Sequence, residues 1–435
     1  MTEPARGWIL AAPCSNSGKT LVSAALLRLL ARQGSSATPF KVGPDYIDPG
    51  FLSAAAGTVC CNLDPWAMGP ARLGQLLGNQ PGDRFLIEGV MGLFDGAVSG
   101  DGSTADLAAQ FSLPVILVIN VRGQGASVAA LAQGFANHRA DIDVAGVIFT
   151  RVGSARHETI LRTACADAGI RVFGALANDP TLTLQERHLG LVQAGERADL
   201  EALLERAADC LGDNLDLAGL QEIAAAPSIR NAGPSAPLRP LGQHIAVARD
   251  IAFGFCYPHI LEDWRSAGAR IGFFSPLADE APAADADAVY LPGGYPELHA
   301  GRLSSNEKFL QGLRDAAGRD AVILGECGGY MVLGRGVEDS DGENHAMAGL
   351  LDLETSFTQR KLHLGYRQAT LQADCGLGAV SSEFRAHEFH YASVIREQGA
   401  PLFTLRDALG AQLDQAGLVS GRVMGSFIHL IDRVG

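Results

Sequence analysis

Residues 8–20, WILAAPCSNSGKT, decide the fold of the first half of the chain. The apolar run from Trp8 to Ala12 predicts a buried strand, and LVSAALLRLLARQG after the loop has helical spacing. A strand, a loop of small residues, Gly-Lys-Thr and a helix together predict a P-loop, in which backbone N–H groups and a lysine bind phosphates. Pro13 replaces the first glycine of the strict pattern. The predicted nucleotide-binding residues are Ser15, Asn16, Ser17, Gly18, Lys19 and Thr20.

Size and composition predict a soluble protein of two or three domains. The chain has 435 residues, of which 47% are hydrophobic and 19% charged. No apolar run reaches the roughly 18–20 residues of a membrane span, and the N-terminus lacks a signal-peptide pattern. The net charge of −14 argues against nucleic acid as a partner. The eight cysteines form no C-x-x-C pair, which predicts neither zinc nor disulfides and favours the cytoplasm.

Short apolar runs alternate with helical segments in both halves of the chain. Such alternation predicts α/β domains, the first with a doubly wound parallel sheet covered on both faces. Between the halves, PSIRNAGPSAPLRP (227–240) has four prolines in fourteen residues and reads as a linker. The predicted domains are 1–225 and 243–435, joined by a linker over 226–242. The predicted strands are RFLIEG (84–89), PVILVINV (114–121), VAGVIFT (144–150), IRVFGAL (170–176), HIAVARD (244–250), ARIGFFS (269–275), AVYLPGG (288–294) and AVILGECGG (321–329).

Acidic residues follow the predicted strands of the first domain. FKVGPDYIDPGF (40–51) and FLIEGVMGLFDG (85–96) both end apolar runs in loops rich in glycine or proline. Because open α/β sheets bind ligands at the carboxyl ends of their strands, these side chains are expected near the P-loop. The predicted Mg²⁺ ligands are Thr20, Asp45 and Glu88. The predicted catalytic residues are Lys41, Asp45 and Asp95, beside substrate-pocket residues Tyr46 and Asp48.

The motifs KVGPDYIDP, EGVMGLFDG, GSTADLAAQFSLPVILVIN and RHLGL (187–191) resemble one enzyme family. They are similar to the synthetase domain of the cobyrinic or hydrogenobyrinic acid a,c-diamide synthases, over residues 8–200. The resemblance implies a dethiobiotin-synthetase-like P-loop fold that uses ATP and Mg²⁺ to phosphorylate peripheral carboxylates of a corrinoid. Relatives tend to carry Asn-Arg, suited to reading adenine, where this chain has Thr150-Arg151. The resemblance therefore implies phosphate binding but leaves adenine recognition open.

A second reactive motif lies in AVILGECGGYMVLG (321–334). Glycines on both sides of Cys327 predict a sharp strand-to-helix turn that exposes a nucleophile at a helix N-terminus, where the dipole lowers the thiol pKa. The predicted base is His429, and its competitors His387 and His390 are expected to line a pocket. Backbone N–H groups of Gly293 and Gly294 are the predicted oxyanion donors.

The segments YLPGGYPELHA, GECGGYM, HEFHYAS and SFIHL resemble a class I glutamine amidotransferase domain of the type fused to corrinoid amidases, over residues 244–432. The resemblance implies that L-glutamine supplies ammonia. Most members orient the catalytic histidine with a glutamate two residues later. Here the first acid after His429 is Asp432, three residues on, so the resemblance leaves open whether the site is a triad or a Cys–His dyad.

Together the two sites predict an ATP- and glutamine-dependent ligase that amidates the a and c carboxylates of a corrinoid acid through acyl phosphates. A composition rich in alanine, glycine and arginine suggests a GC-rich genome, which leans toward the cobalt-free substrate of the aerobic route. The near alternative is a nickel-sirohydrochlorin a,c-diamide synthase. Three other classes of protein fit the sequence less well. A partitioning-type ATPase switch would carry an extra lysine in the P-loop, and a dethiobiotin-synthetase-like carboxyligase would have no cysteine elbow. A binding module with two degenerate sites would not retain both motifs. No nucleic-acid or membrane partner is expected, and a homodimer is a further expectation.

Overall fold

A computed structural model describes residues 4–184, 186–187, 190–229 and 235–434 of the chain. The chain divides into two compact units, Met1–Ser235 and Ala236–Gly435, whose boundary falls inside the segment predicted as a linker. Residues 230–234 of that segment lie outside the described residues, as do His188 and Leu189 of the RHLGL motif. Among the described residues, no helix combines the length and apolar composition that a membrane crossing requires.

The first unit contains nine strands and eight α-helices among its described residues. The strands are β1 (Arg6–Ala11), β2 (Ala37–Val42), β3 (Cys61–Leu63), β4 (Arg84–Glu88), β5 (Pro114–Asn120), β6 (Asp143–Val152), β7 (Val172–Ala177), β8 (Glu186–Arg187) and β9 (Gly190–Leu191). The helices are α1 (Lys19–Arg32), α2 (Asp48–Ala56), α3 (Pro70–Gly78), α4 (Thr104–Phe111), α5 (Val128–Asn137), α6 (Ala155–Asp167), α7 (Leu200–Gly212) and α8 (Leu217–Ile223).

Seven of these strands form a parallel sheet in the order β3-β2-β4-β1-β5-β6-β7. The chain winds to one side of β1 through β2, β3 and β4, and then crosses to the other side through β5, β6 and β7. The switch between the two directions lies at the carboxyl end of β1, where open α/β sheets bind ligands. The prediction of a doubly wound parallel sheet is confirmed, and the P-loop follows the switch-point strand.

Burial explains why β1 takes the centre of the sheet. Trp8, Ile9 and Leu10 are fully buried, as expected for a strand covered on both faces by helices. Helix α1 buries Val22, Leu26 and other apolar residues against this sheet, while its opposite face is partly exposed. The strand and the helix that flank the P-loop are thus anchored in the core.

The second unit contains fourteen strands and four α-helices among its described residues. The strands are β10 (His244–Ala248), β11 (Arg270–Phe274), β12 (Ala288–Leu291), β13 (Val322–Glu326), β14 (Gly336–Glu338), β15 (Asn344–Ala346), β16 (Leu353–Ser356), β17 (His363–Leu371), β18 (Glu383–His390), β19 (Ser393–Glu397), β20 (Ala400–Asp407), β21 (Gln412–Ser420), β22 (Val423–Ser426) and β23 (Ile428–Arg433). The helices are α9 (Pro258–Ser266), α10 (Ala300–Ser305), α11 (Glu307–Gly318) and α12 (Gly328–Leu333).

A ten-stranded sheet in the order β11-β10-β12-β13-β22-β21-β20-β17-β18-β23 organises the second unit. Strands β11, β10, β12, β13 and β22 are parallel, and the other pairings are antiparallel. Strands β15, β14, β16 and β19 form a separate four-stranded sheet. The predicted α/β domain is confirmed. After α12, however, the described chain up to residue 434 continues in strands rather than in βα units, which the sequence analysis did not foresee.

Candidate functional site

The P-loop of the first unit contains two residues in the left-handed region of backbone conformation. Asn16 and Gly18 adopt positive φ angles of 60° and 87°, and helix α1 begins directly afterwards at Lys19. Lys19 Nζ donates a hydrogen bond to the carbonyl of Met91 at 2.6 Å. Burial and, after it, the charge of Lys41 lower the pKa of Lys19 to about 8. Lys19 is therefore a buried cation at the N-terminus of helix α1, and helix N-termini are where anions bind.

Thr150 holds the P-loop in place, a contact that sequence reasoning missed. Its hydroxyl donates to the Ser17 carbonyl at 2.7 Å, and its methyl carbon lies 3.3 Å from the position of a Cβ at Gly18. Ser17 Oγ in turn donates to the Cys14 carbonyl at 2.8 Å. Thr150, which stands where relatives tend to carry Asn, therefore contacts the P-loop itself.

Lys41, itself buried, lies at the centre of three carboxylates, of which Glu88 is buried and Asp45 and Asp48 are half-buried. Its Nζ is 2.6 Å from Asp48 Oδ2, 2.7 Å from Glu88 Oε1 and 3.7 Å from Asp45 Oδ2. Thr20 Oγ1 donates to the same Glu88 oxygen at 3.1 Å. The structure thus brings together all three predicted Mg²⁺ ligands and the predicted catalytic lysine. Hydroxyl and carboxylate oxygens are the donors that Mg²⁺ takes beside nucleotide phosphates, so the donor set fits that ion.

Burial and mutual charge set the protonation of this cluster. Burial opposes the charge on Lys41, but Asp48 and Glu88 outweigh it and raise the pKa of Lys41 well above its usual range. Burial, followed by the neighbouring charge of Asp48, raises the pKa of Asp45 to about 7. Burial also disfavours the charged form of Asp48, yet Lys41 outweighs it and the pKa of Asp48 falls below its usual value.

The loop after β4 lies beside the beginning of the P-loop. The N–H of Leu93 donates to the Ala12 carbonyl at 2.8 Å, which joins this loop to the end of β1. Asp95 is exposed, and its Oδ2 accepts the N–H of Gly92 at 2.9 Å and closes the turn. Tyr46, half-buried, follows Asp45 in the loop before α2. Both predicted residues therefore lie in loops at the carboxyl edge of the sheet.

In the second unit, Cys327 occupies a strained turn between β13 and α12. Its φ and ψ angles are 47° and −103°, and its N–H donates to the Ser426 carbonyl at 2.8 Å. A Cβ at Gly329 would lie 2.0 Å from the Leu291 carbonyl oxygen, and one at Gly325 would lie 2.7 Å from the Gly329 oxygen. Only glycine fits on either side, which is the geometry of a nucleophile elbow.

The expectation of an exposed thiol with a lowered pKa is wrong. Cys327 is 4% exposed. Burial, followed by the negative charge of Glu297, raises the pKa of the Cys327 thiol above its usual range, although a hydrogen bond from the Gly328 N–H opposes this. Desolvation outweighs the single backbone donor of this short helix, so the thiol needs a base to become a nucleophile.

His429 lies beside the elbow. The position of a Cβ at Gly293 would lie 2.4 Å from His429 Cε1 and 3.3 Å from Cys327 Cβ, so the histidine and the cysteine face the same glycine. His429 is fully buried in β23. Because Gly293 has no side chain, the His429 ring and the Cys327 side chain both fit beside it.

Burial lowers the pKa of His429 to about 3; His387 and His390 act in the same direction, and Glu388 opposes them. His387 pairs directly across the sheet with His429, and burial lowers its pKa to about 4. His429 is therefore a neutral imidazole, which can accept a proton from the thiol.

The glycine pair after β12 lies against the elbow. The N atom of Gly294 is 3.2 Å from the position of a Cβ at Gly328, the residue after the nucleophile. The Gly293 carbonyl accepts the N–H of Phe255 at 2.9 Å, which fixes the loop. The Gly294 N atom therefore lies beside the residue that follows Cys327, and the N–H groups of Gly293 and Gly294 stay the predicted oxyanion donors.

His390 belongs to a charged cluster with Glu388, Arg367 and His363. Glu388 contacts Arg367 at 2.7 Å and His390 at 3.0 Å, and the rings of His363 and His390 stack with centroids 4.6 Å apart. Burial opposes ionisation of Glu388, but the hydrogen bond to His390 and the charge of Arg367 lower its pKa to about 2. The two histidines and the glutamate lie close enough to hold a metal ion, but Arg367 already neutralises the carboxylate.

Comparison with known proteins agrees with this pair of sites. Residues 8–192 match the family described as the CobQ/CobB/MinD/ParA nucleotide binding domain, and residues 244–433 match the CobB/CobQ-like glutamine amidotransferase domain. The first match includes the P-loop and the Lys41 cluster. The second includes the cysteine elbow and His429. The first unit is therefore a nucleotide-binding domain, and the second is a glutamine amidotransferase domain.

Three relatives that match over nearly their whole length carry the same name. The hydrogenobyrinate a,c-diamide synthase of Brucella anthropi is 54% identical over 99% of both chains. The Rhizobium meliloti protein of that name is 52% identical over 98% of this chain and 99% of the relative. The Rhodobacter capsulatus protein is 51% identical over 99% of this chain and 100% of the relative. The chain belongs to the hydrogenobyrinate a,c-diamide synthase family.

Proposed function

We propose that this protein uses ATP and glutamine to convert the a and c carboxylates of hydrogenobyrinate into primary amides. The observation that carries the proposal is the full-length similarity, at 51–54% identity, to synthases of that name. The two sites supply the chemistry such a conversion needs. A carboxylate is a poor electrophile until ATP makes it an acyl phosphate, and the attacking nitrogen must arrive as ammonia.

The first unit is proposed to activate the carboxylate. Residues 15–20 would hold the phosphates of ATP, with Lys19 offsetting their charge, as in other phosphoryl-transfer sites. Thr20, Asp45 and Glu88 would hold Mg²⁺, which draws charge from the phosphates when bound. Lys41 keeps the carboxylates together, and with Asp95 it would contact the reacting groups. The proposed substrate-pocket residues are Tyr46 and Asp48 in this unit and His387 and His390 in the second.

The second unit is proposed to release ammonia from glutamine. His429 takes the thiol proton as the Cys327 sulfur attacks the side-chain amide carbon, and the N–H groups of Gly293 and Gly294 are proposed to stabilise the oxyanion. The C–N bond then breaks, and the proton leaves with ammonia. Water hydrolyses the thioester to glutamate. Burial favours the neutral forms of both the thiol and the imidazole, so we propose that the proton moves to His429 as the sulfur attacks.

The ring is proposed to be cobalt-free. The three full-length relatives compared above are named for hydrogenobyrinate, which disfavours a nickel tetrapyrrole. The homodimer, the cytoplasmic location and the domain limits of 1–225 and 243–435 stay predictions.

The test is mass spectrometry of hydrogenobyrinate and its cobalt-bearing counterpart incubated with ATP, Mg²⁺ and glutamine. For each acid converted, the mass falls by the difference between a hydroxyl and an amino group, and two such steps are expected on the cobalt-free ring. Cys327→Ala should lose the reaction with glutamine and keep it with added ammonia. No mass change on either ring, with an enzyme that hydrolyses glutamine, would refute the proposed substrate.

A further inference from the structure

Glu326, the residue directly before the nucleophile, is a buried carboxylate without a role in the chemistry above. It is 3% exposed. Its Oε2 accepts the hydroxyl of Tyr290 at 2.7 Å, and its Oε1 accepts the backbone N–H of Leu430 at 3.1 Å. Both carboxylate oxygens are therefore hydrogen-bonded inside the domain, where a buried charge or polar group needs partners.

The position of these two bonds links Glu326 to the catalytic groups. The N–H of Leu430 belongs to the peptide that follows His429, so the bond fixes the backbone from which the imidazole projects. Tyr290 lies in β12, the strand that leads into Gly293. Glu326 is also bonded to Cys327, as the residue directly before it in the chain. One side chain thus joins the nucleophile, the base and the strand before the oxyanion loop.

A second buried side chain binds the same strand two peptides further along. His259 Nε2 donates to the Ile431 carbonyl at 2.9 Å, and the His259 ring stacks on Tyr257 at a centroid distance of 5.4 Å. The segment just after His429 is therefore bound by side chains from two other elements. Such bonds restrict a catalytic group to one geometry, and displacement by about 1 Å can lower a rate about 100-fold.

We propose that Glu326 is the positioning residue of the glutaminase site, and that it orients His429 through the Leu430 peptide. It takes the place of the glutamate that most class I amidotransferases carry two residues after the histidine, but it acts on the backbone rather than on the ring. The proposal rests on the glutaminase half of the proposed function. It explains how His429 is held in a chain with no acid at that position.

The experiment compares glutamine hydrolysis by the full-length wild type, Glu326→Gln and Glu326→Leu. The side chain introduced by Glu326→Gln keeps both contacts, because its carbonyl oxygen accepts the Leu430 N–H and its amide N–H donates to the Tyr290 oxygen. The side chain introduced by Glu326→Leu removes both contacts. The matched control is Glu397→Leu, which breaks another Tyr–Glu hydrogen bond of this unit, that of Tyr330 at 2.6 Å. The readouts are kcat and KM for glutamine, the pH dependence of Cys327 alkylation by iodoacetamide, and ammonia-dependent amidation.

For Glu326→Leu we expect a fall in kcat of about 10- to 100-fold with little change in KM, as expected for a lost buried hydrogen bond that orients a base. Alkylation of Cys327 should shift to higher pH, and ammonia-dependent amidation should persist. Glu326→Gln should stay within about 3-fold of wild type, and Glu397→Leu should match wild type.

Three results would overturn the assignment: wild-type kcat in Glu326→Leu, equal losses in Glu326→Gln and Glu326→Leu, or parallel loss of ammonia-dependent amidation. A wild type that does not hydrolyse glutamine would instead overturn the proposed function.

Discussion

Replacing Gly293 with alanine tests the geometry of the glutaminase site with a single methyl group. The new Cβ would lie 2.4 Å from His429 Cε1 and 3.3 Å from Cys327 Cβ. Two carbon atoms prefer about 3.5–4.0 Å, so the imidazole must retreat by about 1 Å. A displacement of that size at a catalytic base costs about 100-fold in rate. We therefore expect Gly293→Ala to lose about 99% of glutamine-dependent turnover.

The assay is glutamate release from glutamine, with ammonia-dependent amidation measured on the same preparation. Ammonia-dependent turnover should be unchanged, because the three atoms nearest to the added methyl group belong to His429 and Cys327. Gly301→Ala is the matched control, since its Cβ would meet nothing closer than 3.5 Å. Glutamate release within about 3-fold of wild type in Gly293→Ala would refute the placement of His429 against Cys327.

Three further predictions concern stability and nucleotide binding. Lys41→Met leaves Glu88, Asp45 and Asp48 without their counterion. It should lower the free energy of unfolding at pH 8, measured by urea denaturation, by about 3–5 kcal/mol. A loss below about 1 kcal/mol would contradict this. Burial raises the pKa of Glu326 from 4.5 to about 7, so its contribution to stability is full below pH 4.5 and is lost as the pH rises through 7. Glu326→Gln should flatten the fall in unfolding free energy over that window, and a slope equal to wild type would contradict the raised pKa. Thr150→Val removes the hydrogen bond to Ser17 and should raise the KM for ATP about 5- to 10-fold without changing glutamine hydrolysis, whereas an unchanged KM would contradict the anchoring role.

The sequence predicts both reactive loops because each is a local pattern. The P-loop and the cysteine elbow are set by a strand, small residues and a helix within about 20 residues, where sterics and periodicity decide the backbone. The doubly wound sheet follows from the alternation of apolar runs with helices. The antiparallel half of the second unit escaped prediction because its strands, such as β17, are only half-buried and have no helix between them to mark their limits.

The contacts missed from sequence join residues far apart in the chain. Thr150 lies 133 residues from Ser17, and Leu430 lies 104 residues from Glu326, so no local pattern could reveal either bond. The error on the Cys327 pKa has the same origin. A helix N-terminus is visible in the sequence, whereas the burial that outweighs it depends on how distant strands pack around the thiol.

The most direct test of the central claim is the source of nitrogen in the product. The enzyme would receive hydrogenobyrinate, ATP, Mg²⁺ and glutamine labelled with ¹⁵N in the side-chain amide, with unlabelled ammonium in the buffer. The account predicts a diamide with ¹⁵N at both amides for wild type, and an unlabelled diamide for Cys327→Ala supplied with the same ammonium. An unlabelled wild-type product, or no diamide at all, would contradict the division of the reaction between a nucleotide-binding unit and a glutaminase unit.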